Sequence, residues 1–374
     1  MTNRSPLGRW PVSFRPQRGE VLYSWLARCA SVYGLSPAEL LPERSQPFRR
    51  ISLLVQQTSP EILKDLAIST GLSVPALAKR TLAGAYPTGP SSWWIGHPAG
   101  ETGFDRMQDA PLQFCPRCLA DGVPFLRLRW QWATMTICRK HAAPLQWACT
   151  HCHRICWPLC ERTASARFHF YCGHCGHSQD RGGRLFEEKA TRAVRLLIRF
   201  ENQILRALTQ GSVEASWIGH ATSQEFLHLV DDLLWAITCQ SYHSRPVYKL
   251  QTPPFPLGTP YLPAAVTKHW RFAAPHVRRS LLATILAIFA SSKSRACLQA
   301  RSRYRYRWHD LLACLSSDHS ATLERRSWDW PAAAHNALRH AAQLSRDQRF
   351  FRPRETRSCL PISEKHSCEI DKVY

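Results

Sequence analysis

The spacing of apolar residues sets out the first part of the chain as helices. Between Glu20 and Tyr33, the residues Leu22, Trp25, Leu26 and Cys29 recur at three- and four-residue intervals. They share one face of a helix that Gly34 should stop. Residues 1–19, rich in Pro and Arg, read as extended. Ser36-Pro37-Ala38-Glu39 has the form of a capping box with Pro at the first helical position, and Ser59-Pro60-Glu61 marks another start. In the segment that follows, Leu63, Leu66 and Ala67 form the inner face of one helix. Gly71 supplies a tight turn, Leu72 fills the corner, and Ser73 caps a second helix carrying Leu77, Lys79, Arg80 and Leu82. This is a candidate helix-turn-helix, in which Val74 to Leu82 would face DNA. An ordinary helical hairpin carries the same pattern. Ala30, Gly34, Leu35 and Ser36 repeat that corner earlier in the chain.

Further on the pattern changes. Residues 84–110 are rich in Gly, Pro and Ser and read as a linker or packing loop, with Trp93 and Trp94 anchoring it to a neighbour. Phe125 to Trp132 alternates at period two, which suggests a short strand with Arg127, Arg129 and Gln131 on a polar side, although a helix also fits. From Leu185 the chain reads as helical. Ala190, Val194, Leu197, Ile198, Ile204 and Leu208 form a core face, while Arg192, Arg195 and Arg199 lie on another. A Pro-rich joint at 253–263 divides this part, and Val277 to Phe289 reads as a buried helix. Arg301, Arg303, Arg305 and Arg307 alternate with Ser302, Tyr304, Tyr306 and Trp308. If extended, that run puts four guanidinium groups on one face, suited to phosphate or an acidic partner. Beyond about Phe351 the tail lacks apolar periodicity and is expected to be loose.

Between these parts lie four two-ligand knuckles: Cys115/Cys118, Cys138/His141, Cys149/Cys152 and Cys172/Cys175. Adding 34 to the first four positions gives the second four, so the stretch is two copies of one four-ligand unit. Thiolate and imidazole ligands in such pairs suit tetrahedral zinc, and two complete sets point to two structural Zn2+ ions. A catalytic zinc keeps an open position, and the deaminase signature needs a His-x-Glu that the sequence lacks. The repeat favours sequential use of the ligands, one ion per copy, over a crossed arrangement. Cys156 and Cys160 leave room for a different choice in the second set.

Charge narrows the partners. Lys and Arg number 49 against 27 acidic residues, a formal net charge of +22, which favours a polyanion and above all nucleic acid. The arginines are scattered rather than clustered beside an apolar anchor, so a membrane surface is not expected. The longest apolar run, Leu281 to Ala290, is too short to span a bilayer. Thiols outside the ligand sets, such as Cys29, Cys239 and Cys297, and an opening MTNRSPLGRW without an apolar core, lead us to expect a reducing cytoplasm. No phosphate-binding G-x4-G-K-[ST] loop is present, so the chain is not expected to be an ATPase itself.

Two blocks, FRPQRGEVLYSWLARCASVYGLS and FCPRCLADGVPFLRLRWQWATMTICRKHAAPLQWACTHC, resemble the TniQ/TnsD family of transposition target-selection proteins. The more specific features are the CPxCL knuckle, the Arg-x-Arg-Trp segment, and Cys-x2-His followed by Pro-Leu and another CxxC. They cover roughly residues 10–175, and the length is closer to the shorter TniQ members. The resemblance implies a mainly α protein with an N-terminal helix-turn-helix region, a tandem zinc-finger region with short strands, and a helical C-terminal region. With the patterns above, that sets expected spans of 1–108, 109–182 and 183–350, with a tail at 351–374. In function it implies a non-catalytic adaptor. Such a protein selects a DNA target and recruits an AAA+ ATPase, which in turn brings the transposase. Some members act as homodimers beside RNA-guided CRISPR effectors, and these residues do not choose between that route and direct recognition. On the same motifs, a helix-turn-helix and zinc-finger transcription regulator is the alternative. Ser73, Lys79, Arg80, Arg127, Arg129 and the four arginines at 301–307 are the expected nucleic-acid or partner contacts.

Overall fold

The structure is a computed structural model that describes residues 9–37, 39–41, 54–55, 58–87, 89–90, 93–95, 112–156, 158–165, 167–180, 191–215, 218–240, 270, 273–293, 311–312, 315 and 317–351. The arginine run at 301–307, the joint at 253–263 and the tail after 351 lie outside the described residues. Within them the protein is mainly helical, with three two-stranded antiparallel ribbons.

Helix α1 (Leu22–Val32) is buried along nearly its whole length, because Leu22, Trp25, Leu26 and Cys29 face inward while Glu20, Ser24 and Arg28 form a buried polar seam beside them. Arg28 grips Glu20 through two hydrogen bonds of 2.8 and 2.6 Å, and Ser24 adds a third at 3.0 Å. Gly34 lies at φ 65° just past the helix end, as its position suggested. The capping-box contacts of Ser36 and Glu39 both form, and they close a turn, with no helix starting there among the described residues.

Helix α2 (Pro60–Thr70) is capped by the Ser59 hydroxyl, which accepts from the Ile62 N–H, and ends at Gly71 in the left-handed region, φ 74°. Ser73 in turn caps α3 (Val74–Ala78). The second helix expected here stops early. Thr81 accepts from the Gly84 N–H and starts α4 (Leu82–Ala85) at a new angle. A Cβ on Gly84 would lie 2.1 Å from the Ala78 carbonyl oxygen, so the close approach of the two short helices requires glycine.

The metal-ligand stretch contains α5 (Pro116–Ala120), a 3-10 turn (Leu128–Gln131), the β1–β2 ribbon (Ile137–Cys138, Ala143–Pro144) and the β3–β4 hairpin (Pro158–Arg162, Phe168–Cys172). The segment before the 3-10 turn is extended and joins the residues leading into α1: Val21 N–H donates to the Leu126 carbonyl and Leu128 N–H to that of Gly19. Period two therefore holds through Leu128, but the 3-10 turn then rotates Gln131 inward. Gln131 is fully buried and exchanges hydrogen bonds with Gln113, so it has no place on a solvent face.

The C-terminal part comprises α6 (Arg192–Gln210), the β5–β6 ribbon (Ser212–Ala215, Gly219–Thr222), α7 (Ser223–Gln240), α8 (Pro275–Lys293), α9 (Ser317–Arg326), a 3-10 corner (Ser327–Asp329) and α10 (Ala332–Phe351). The α6 core face is Val194, Leu197, Ile204 and Leu208, joined by Ala193, with Ile198 half-buried. Arg192, Arg195 and Arg199 are exposed. One contiguous apolar core links α1, both ligand units and the C-terminal helices. Trp93 reaches across it, its indole N–H donating to Asp231 of α7 at 2.9 Å.

Candidate metal centre

The first ligand unit is assembled from α5 and the β1–β2 ribbon. Pro116 starts a one-turn helix that directs Cys115 and Cys118 to the same side, and the turn between β1 and β2 returns His141 toward them. His141 Nδ1 lies 3.5 Å from Cys115 Sγ, 3.4 Å from Cys118 Sγ and 3.8 Å from Cys138 Sγ. Cys118 and Cys138 are 3.5 Å apart. In the second unit, Cys149–Cys175 and Cys152–Cys172 are 3.7 and 3.8 Å apart. Within each set every ligand atom lies within 4.8 Å of the others. A tetrahedron with Zn–S bonds of about 2.3 Å has edges of about 3.8 Å, so both sets have the size of a zinc cage. The ligands are grouped sequentially, and Cys156 and Cys160 fall outside the second group.

The surroundings complete the case for a metal. The second ring nitrogen of His141 faces Asp121 Oδ2 at 2.8 Å, the carboxylate–imidazole pairing that orients a metal-bound histidine. Lys140 holds the same oxygen at 2.7 Å. In the second unit, the main-chain N–H groups of His151 and His174 donate to the sulfurs of Cys149 and Cys172, and the Gln179 amide donates to Cys149 at 3.3 Å. Such donors favour thiolate over thiol. Cys138 is pushed down to about 2, chiefly by hydrogen bonds from the Cys115 and Cys118 thiols, while hydrogen bonds with Cys118 and then Cys138 hold Cys115 far above the usual range. Burial raises Cys149, but N–H donors from Cys152 and His151 outweigh it and leave the group near 7. A bound cation would take up the charge that these donors favour. Each set could hold one metal ion, and its donors match zinc.

The two units sit differently in the fold. Cys115, Cys118 and Cys138 are buried in the main core, whereas Cys175 is exposed. The β3–β4 hairpin of the second unit lies against α1. Phe168 on β4 and Phe14 before α1 meet edge-on at 5.3 Å, and the Arg28 guanidinium lies over both rings. The hairpin thus covers the Glu20–Arg28 pair. Cys160 faces this seam, and burial pushes it up to about 12.

Residues 11–145, from the segment before α1 through the first ligand unit, match the TniQ family model. The chain carries a TniQ domain. Among curated proteins no relative matches the chain. The match includes the whole first metal set, and the second set lies just beyond it.

Within the TniQ domain the expected contact residues do not act alike. Lys79 is exposed at the corner after α3. The exposed Ser73 spends its hydroxyl oxygen on the Ala76 N–H. Arg80 turns inward, donating to the carbonyls of Gln17 and Glu20, and burial holds its guanidinium below the usual arginine range. It braces α3 against the start of α1 and is half-buried. Arg127 lies over Phe125 at 4.7 Å, beside Trp130. Arg129 is half-buried and held down first by burial and then by Arg127, with Arg139 close enough to add to the effect. These arginines gather beside the first thiolate set, so part of their charge balances it.

A second network, invisible in the spacing, ties the TniQ domain to the C-terminal helices. Arg278 of α8 is fully buried and donates to Ala273 O, Ala133 O and Gln113 Oε1 at 2.8, 2.5 and 2.9 Å. Glu201 of α6 accepts from the N–H and hydroxyl of Thr136, two residues before Cys138. Burial raises Glu201 to about 7 and lowers Arg278 to about 9. The paired arginines Arg278 and Arg279, beside the apolar run of α8, were the one cue to this junction. No helix among the described residues is long and apolar enough to cross a membrane.

Proposed function

We propose that this protein is a non-catalytic targeting adaptor of a transposon. It selects the insertion site and recruits an AAA+ ATPase, through which the transposase arrives. The observation that carries this reading is the TniQ match at residues 11–145, which supports a part in transposition target selection. Two Zn2+ ions, one in each cysteine set, hold the scaffold rigid. The net charge of +22 supplies salt-dependent attraction to DNA, with Lys79, Arg129 and the arginines at 301–307 as its contacts. Function in this reading is the geometry of a rigid platform, with one face on DNA and another on the ATPase.

The test is recovery of a tagged chain from cells that carry the intact element. Co-recovery of the AAA+ ATPase is expected. A CRISPR effector in the same fraction would assign RNA-guided recruitment, and its absence alongside the ATPase would assign direct DNA recognition. Recovery of neither, from cells in which both are expressed, overturns the adaptor.

A further inference from the structure

We infer that the corner between α9 and α10 is a duplex-DNA-binding element, with α10 lying in the major groove and Trp328 packed against the sugar–phosphate backbone at the groove edge. The inference rests on the targeting reading above and names a DNA-facing surface that lies outside the TniQ domain.

Trp328 is the most exposed large apolar side chain among the described residues, at 71%. Its exposure does not come from a loose corner. Ser327 before it is buried, donating to Glu324 O at 2.6 Å and lying 2.9 Å from His335 Nδ1. Trp330 after it is buried, its indole N–H donating to Asp232 of α7 at 2.8 Å, and Arg326 holds the other oxygen of that carboxylate at 2.8 Å. Arg326 also lies over Trp235 of α7 at 4.9 Å. The corner is therefore pinned to α7 while one tryptophan is held outward, flanked by the His335 ring at 4.9 Å and the Arg339 guanidinium at 6.0 Å.

Helix α10 carries the matching face. Ala334, Leu338, Ala341 and Ala342 point inward and are buried. Asn336, Arg339, His340 and Gln343 are exposed at positions i, i+3, i+4 and i+7, one face of a helix. From Ala332 to Gln343 the helix has no acidic residue; the acids of this region are Asp318, Glu324 and Asp329, on α9 and the corner, and Asp347, one turn beyond Gln343. Asparagine and glutamine pair in bidentate fashion with adenine, arginine pairs with guanine, and a helix of this kind following a short turn fits the major groove. A protein partner would also value Trp and Arg, but such anchors sit within apolar surroundings. The other large exposed apolar residues, Val12, Leu35, Ile68, Val123 and Leu159, all lie elsewhere.

The test uses the full zinc-loaded chain and fluorescence anisotropy, with a random-sequence duplex of about 30 base pairs and the matching single strand as probes, across a salt series. The Asn336→Ala/Arg339→Ala variant should weaken duplex binding about tenfold and reduce the salt slope by about one. Trp328→Ala should weaken it severalfold. Because these side chains are exposed, thermal midpoint and zinc content should stay at the wild-type values, and an Arg195→Ala variant on α6, which also removes one positive charge, serves as a charge-matched comparison. If wild type binds duplex and all three variants bind equally well, the corner is overturned while the adaptor reading stands. An equal loss in the α6 variant overturns it as well, since charge alone would then explain the effect. A wild-type preference for single strand that Trp328→Ala abolishes overturns the groove geometry. Absence of any wild-type binding at about 50 mM salt overturns the corner and the direct-DNA arm together, leaving ATPase recruitment to the recovery experiment.

Discussion

The two cysteine sets are copies of one spacing, yet they occupy unlike positions. The first has three buried sulfurs and a histidine oriented by Asp121, and it lies where the TniQ domain meets α6 and α8. The second has an exposed cysteine and holds a hairpin that covers one side of α1. Ligand spacing fixes what each set can bind. The side chains packed around it fix how much of the fold depends on that binding. The first set should therefore be a keystone and the second a clamp.

Cys115→Ala should have the largest effect. Structural zinc contributes about 10–16 kcal/mol in small zinc domains, comparable to the whole stability of a typical fold. We expect loss of one metal ion and cooperative unfolding by circular dichroism. Cys175→Ala should also lower metal content by one, but faster amide exchange should be confined to the β3–β4 hairpin and α1. If the two variants unfold alike, the keystone–clamp distinction fails.

Arg28→Met tests the clamp from beneath. It leaves the Glu20 carboxylate buried without its partner, which costs about 3–5 kcal/mol. Denaturant unfolding should show this with both metals retained. A loss below about 1 kcal/mol would mean that the seam is open to water despite the hairpin.

Glu201→Gln tests the junction beside the keystone. The folded protein keeps the Glu201 proton up to about pH 7, whereas the unfolded chain releases it near 4.5. Its contribution to stability is thus lost as pH rises through that window, and the loss is complete above it, about 3 kcal/mol in all. Wild type should lose stability relative to the glutamine variant between pH 5 and 8, read as a difference in urea midpoints. A difference that does not change with pH removes the buried carboxyl from the account.

Asp121→Ala should have the smallest effect on folding. It frees the His141 ring and should weaken metal binding at the first set by about 10–100-fold, with the second set unaffected. Competition with a chelator measures it, and equal weakening at both sets would contradict separate sites.

Much of the local structure was legible in the sequence. Ser59, Ser73 and Gly71 cap and close the helices where their chemistry suggested, α8 spans the apolar run from Val277, and the ligands group in chain order. The errors share one origin. The helix after Ser73 was expected to reach Leu82, but Thr81 restarts it so that Leu77 and Leu82 can both be buried. Arg80 reads as a solvent-facing cation and is half-buried, donating to main-chain carbonyls 63 and 60 positions earlier in number. Gln131 read as surface and is a core hydrogen-bonding group.

By itself the sequence determined the ligand chemistry, the helix caps and the excess of positive charge, since each depends on residue type and on neighbours a few positions away. Tertiary structure alone decided which charges are spent inside. Thr136 meets Glu201 across 65 positions and Arg278 meets Ala133 across 145. At such distances no local periodicity reports a partner, and only packing, which removes water from a polar group and forces it to find a protein acceptor or donor, fixes the pairing.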